Sequence, residues 1–126
     1  MKAFINALIN SGKYFFAVPF IVFGVFHFTG AKDMAANMLG DCPVGEILVY
    51  LTGLALILAG VSIIIDKMTR LATLLLALLL FLFIVSIHIP GMMNAGNEMA
   101  MQMSMAAALK DLALMGAALF FAGTYK

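Results

Sequence analysis

The chain has 126 residues, 65% of them hydrophobic and 10% charged, with a formal net charge of +1. A soluble domain carries about 25% charged residues, so this composition excludes an ordinary water-soluble fold. No basic patch offers the electrostatic footprint that nucleic acid requires.

Four apolar runs reach or approach the roughly 20 residues that a bilayer crossing needs. They are Tyr14–Gly30, Gly45–Ile65, Leu71–Ile89 and Ser104–Gly123. Little sequence is left over, so residues 1–126 read as one all-α membrane domain, an antiparallel four-helix transmembrane bundle. Met1-Lys2 ahead of an apolar run resembles a signal peptide, but the run is long and reads as a span. Lys2, Lys13, Lys67, Arg70 and Lys126 fall on one side of a four-span chain and Lys32 on the other. The positive-inside rule then predicts both termini in the cytoplasm of a multi-pass plasma (inner) membrane protein.

In the first run, Gly24, His27 and Ala31 follow helical spacing and share a face. The small residues there let another helix approach. Pro19 is tolerable inside a bundle. Ala31–Asp41 mixes apolar and polar residues and predicts a short interfacial helix ended by Gly40. Cys42 is the one cysteine, so the chain cannot run a paired-thiol exchange cycle alone. Pro43 suits the first turn of the second span.

Glu46, Gly53 and Gly60 repeat every seven residues in the second run, flanked by Thr52 and Ala59. This row predicts a packing seam with Glu46 at its outer mouth. The third run is nearly all Leu, Ile and Phe, and His88 precedes a Pro90-Gly91 break. Met92, Met93, Met99, Met101, Met103 and Met105 crowd the approach to the fourth run. Thioethers favour Cu(I), but alternating methionines converge only on an extended segment. Flexible apolar filling is the plainer role for methionine.

The fourth run carries Lys110 and Asp111, charges that are expensive in a membrane and normally face protein or water. Neighbours on a helix point about 100° apart, so each charge is expected to need its own partner. His27 is the candidate for Asp111 and Glu46 for Lys110. Counted along antiparallel spans, His27 and Lys110 both lie in the outer half of the bundle. His27, Glu46, His88, Lys110 and Asp111 therefore suggest a polar pocket open to the outside. A network that locks the helices in register, a ligand pocket and a proton relay all remain open.

Several stretches look like one known family. Gly24-Val25-Phe26-His27-Phe28 resembles the G-x-x-H-F stretch of DoxX-family membrane proteins. Pro43 followed by Tyr50-Leu51-Thr52-Gly53 resembles its second segment, and His88-Ile89-Pro90 the end of its third helix. Lys110-Asp111-Leu112-Ala113-Leu114-Met115-Gly116-Ala117-Ala118-Leu119 resembles its final helix. The resemblance implies four membrane helices and a role linked to redox chemistry or quinone. It also places the first run inside the mature protein. Many relatives carry a Glu soon after the Thr-Gly of the second helix, whereas Leu54–Gly60 here has no acid.

The expected function is a redox-associated membrane subunit that binds a quinone or lipid-like ligand. It would act beside a separate protein, because the chain shows no redox centre of its own. Whether it is itself an enzyme stays open. The alternatives are a non-catalytic scaffold or assembly factor for another protein, and copper handling by Met92–Met105.

Overall fold

A computed structural model describes residues 1–38, 40 and 44–124. The described residues are helical, with no strand among them. The elements are α1 (Lys2–Asn10), α2 (Gly12–Thr29), α3 (Ala31–Met38), α4 (Gly45–Ile65), α5 (Thr69–Phe83), a π-helical turn (Ile84–His88), α6 (Ile89–Met93) and α7 (Glu98–Thr124). Four continuous helical stretches are long and apolar enough to cross a membrane: Lys2–Thr29, Gly45–Ile65, Thr69–Met93 and Glu98–Thr124. The all-α, four-span expectation is thus met. The second span also matches its expected bounds.

The other three spans are longer than their apolar runs. Helix continues upstream of Tyr14 through α1, because residues 2–10 contain neither Pro nor Gly. It continues past Ile89, because a π-helical turn accommodates Pro90. It begins at Glu98 rather than Ser104, because Asn97 caps it: the Asn97 side-chain oxygen accepts the Ala100 N–H at 2.8 Å. The short helix expected after the first span is present as α3, and Gly40 follows with φ +60°. The expectations for Cys42 and Pro43 lie outside the described residues.

The chain divides into two compact units, Met1–Ala72 and Thr73–Lys126. In the first, α2 and α4 form an antiparallel pair whose backbones nearly touch. A Cβ on Gly53 would lie 2.6 Å from the His27 Cβ and 3.0 Å from the Gly24 carbonyl. One on Gly60 would lie 3.0 Å from the Ala17 carbonyl. One on Gly24 would meet the Ile57 side chain and, at 2.7 Å, the Gly53 carbonyl. Phe28 packs on Tyr50, with ring centroids 5.5 Å apart. The glycine seam therefore packs within the chain. Glu46, expected in that row, is instead exposed, and Gly45 and Val49 fill the buried positions.

At the other end of the pair, Asp66 ends α4 in the left-handed region, φ 58°. Its N–H donates to Ile63 and that of Lys67 to Ser62, which satisfies two terminal carbonyls. The Asp66 carboxylate accepts from Lys13 Nζ at 2.7 Å. This ion pair sets the start of α2 level with the end of α4.

Gly24→Ala is expected to destabilise the protein by about 1–3 kcal/mol, the usual scale of overpacking. Gly116 has open space around its Cβ position, so Gly116→Ala is expected to be neutral or stabilising. Unfolding of both variants in detergent micelles measures the contrast.

Candidate functional site

Pro90 lacks an N–H, and its ring clashes with the carbonyl four residues earlier in a regular α-helix. The π-helical turn over Ile84–His88 widens the helix just before it, and such turns recur at functional sites. Within this turn the Ser86 hydroxyl donates to the Leu82 carbonyl. His88 sits at the end of this turn, and its ring points towards α7.

There it meets Asp111, the central residue of the 27-residue α7. Asp111 Oδ2 accepts from His88 Nε2 at 2.7 Å. The Asp111 side chain is 7% exposed and that of His88 17%. Lys110 Nζ lies 3.8 Å from Asp111 Oδ1, with its side chain 55% exposed. A neutral His88 with its Nε2–H facing Asp111 would keep a lone pair on Nδ1. A close approach nearby holds the two arms of the hairpin together: a Cβ on Gly91 would lie 2.8 Å from Ser104 Oγ.

This geometry revises the pairings expected from the sequence. Asp111 is paired with His88. Adjacent Lys110 and Asp111 also approach each other, because the long lysine stem bends back across the 100° offset. His27 Nδ1 donates to the Phe23 carbonyl one turn earlier on α2, at 2.6 Å. Its Cβ forms part of the Gly53 contact, so its backbone position is fixed by the α2–α4 seam. Glu46 lies in the first turn of α4, where a carboxylate complements the positive end of the helix dipole. The structure thus joins His88, Lys110 and Asp111 in the second unit, while His27 and Glu46 belong to the first. Thr73 is a fully buried polar residue with no counterpart among the sequence expectations. Its spacing from Thr69 and Leu76 on one helical face is the available signal.

Met99, Met101, Met103 and Met105 all lie on α7. On a helix, successive alternate positions are about 200° apart, so the four sulfurs do not converge. The extended segment that would gather them is absent from the described residues. No cluster of three or more His, Cys, Asp or Glu suited to a metal occurs among the described residues.

Removing His88 alone strands a buried carboxylate, which typically costs about 3–5 kcal/mol. His88→Leu is therefore expected to be less stable than the double variant His88→Leu/Asp111→Leu. Unfolding of the two variants and wild type in the same micelles reads the difference.

A sequence model of the DoxX family matches residues 12–89. The match runs from α2 through the π-helical turn and so includes His27, Glu46 and His88. No curated protein and no solved structure gives a significant match. With more than half of the chain matched and four helices able to span a membrane, the chain is a multi-pass membrane protein that belongs to the DoxX family.

Proposed function

We propose that this protein is a redox-associated membrane subunit that holds a quinone or lipid-like ligand at the Lys110–Asp111–His88 cluster. The observation that carries the reading is a carboxylate buried at the centre of an apolar helix, paired on one side and flanked by an exposed ammonium. Asp111 fixes the His88 ring and offsets the Lys110 charge. Lys110 reaches outward as the donor to a quinone carbonyl or a phosphate oxygen. His88 Nδ1 offers a second polar contact. In this reading the chain supplies the binding groups, and electron transfer is assigned to a separate protein partner.

In this reading residues 1–126 work as one domain in the plasma (inner) membrane. The face marked by the Lys13–Asp66 pair is cytoplasmic, consistent with Lys2, Lys67 and Arg70 on the same side. The family match supports a redox setting, and the helices support residence in a bilayer.

Purification from native membranes in mild detergent, followed by native mass spectrometry, tests the proposal. The expected result is a retained quinone or lipid that is lost from Lys110→Met. Equal retention by wild type, Lys110→Met and Asp111→Asn overturns the site. A stoichiometric polypeptide with no small molecule overturns the ligand and favours a scaffold.

A further inference from the structure

Helix α1 stands apart from the rest of the first unit. All of its residues are exposed. Phe4, Ile5, Leu8 and Ile9 are 64%, 46%, 55% and 69% exposed and fall on one face by helical spacing. Asn6 and Asn10 fall on the opposite face, and Lys2 lies at its border, beside Ile9. The family match begins at residue 12, so α1 lies outside the matched region.

The level of the membrane edge decides what covers that apolar face. The 21-residue α4 is about 31 Å long, close to the roughly 30 Å of a bilayer's hydrocarbon core. Asp66 follows directly at its end and binds Lys13 at 2.7 Å. The ion pair therefore lies at the edge of the hydrocarbon, and α1, on the far side of Lys13, lies beyond it. The 28 helical residues Lys2–Thr29 would measure about 42 Å, too long for a straight crossing. The helix is also weakened at the junction. The Ser11 hydroxyl donates to the Leu8 carbonyl at 2.7 Å, and the Ser11 carbonyl accepts from Tyr14 at 3.0 Å, a tightened three-residue bond. Gly12 follows, with nothing within 4 Å of its Cβ position.

We infer that α1 is a membrane-surface anchor, seated on the bilayer face that carries the Asp66–Arg70 turn. Phe4, Ile5, Leu8 and Ile9 enter the boundary between headgroups and acyl chains, and Asn6 and Asn10 face water. The charge fits the same occupant. Residues 2–10 carry Lys2 and no acid, and Lys67 and Arg70 lie on the same membrane face, so anionic headgroups are attracted. A second copy of α1 would bring like charge instead.

Nitroxide labels at Phe4→Cys, Leu8→Cys, Asn6→Cys and Asn10→Cys test the inference. They are made in a Cys42→Ser background, with the full chain in vesicles of phosphatidylglycerol and phosphatidylcholine. Power saturation compares collision with oxygen, which concentrates in lipid, and with a water-soluble nickel chelate. The expected result is an oxygen-to-nickel ratio several-fold higher at positions 4 and 8 than at 6 and 10. Nickel access at all four positions overturns the anchor. So does high oxygen and no nickel at all four, which would make α1 part of the span. Shielding of positions 4 and 8 from both reagents would mean that protein covers them, and also overturns it. Gel-filtration profiles matching the parent show that each labelled chain is folded.

Discussion

Two helices surrounded by hydrocarbon gain little by hiding leucines against each other, because lipid tails are as apolar as leucine. Whatever holds a membrane hairpin together must come from close van der Waals contact or from polar groups that lipid cannot satisfy. The first unit uses contact. Gly24, Gly53 and Gly60 remove the side chains that would keep α2 and α4 apart, so backbone carbonyls meet the opposite helix. Large apolar residues such as Leu54, Leu58 and Val61 are left pointing outward on the same helix. The second unit adds a polar tie, with Asp111 on α7 held by His88 across the hairpin. That carboxylate has no substitute partner in lipid, so the pair specifies a register as well as a contact.

Pro90 connects the backbone of the second unit to its chemistry. A proline inside a span removes one ladder hydrogen bond, and hydrocarbon offers no water to replace it. Ending the helix there would expose several carbonyls. Widening it by one π-helical turn keeps the stretch Thr69–Met93 continuous and re-aims the residues just before the proline. His88 is one of them. The feature that looks like a break in the sequence is thus the feature that presents the imidazole to α7.

Much of this is legible in the order of the residues. Span number and type follow from apolar runs that leave almost no polar remainder. The α2–α4 seam follows from glycines at seven-residue spacing. Span ends are less legible because apolarity and helicity are different properties. Residues 2–10 and 98–103 are too polar to read as hydrocarbon-spanning, yet nothing in them breaks a helix, and Asn97 ahead of Glu98 starts one. The pairing of His88 with Asp111 is hidden for a geometric reason. A tight hairpin closed between Asn94 and Asn97 would set His88 opposite a residue near Met103. The observed contact with Asp111 lies roughly two helical turns further along α7.

The three groups of the cluster divide their work by exposure. Asp111 is too buried to meet a ligand directly and already has a short bond to His88. Its effect on any bound molecule must pass through the two basic side chains beside it. Lys110 has more than half of its side chain exposed, and its ammonium stands 3.8 Å from Asp111. An ammonium carries three donors, and a membrane offers few acceptors at that depth. A carbonyl or phosphate oxygen brought to Lys110 would meet an exposed cation without adding an uncompensated buried charge, since Asp111 already balances the lysine. Replacing Asp111 should therefore disturb both the fold and the ligand, whereas replacing Lys110 should fall mainly on the ligand.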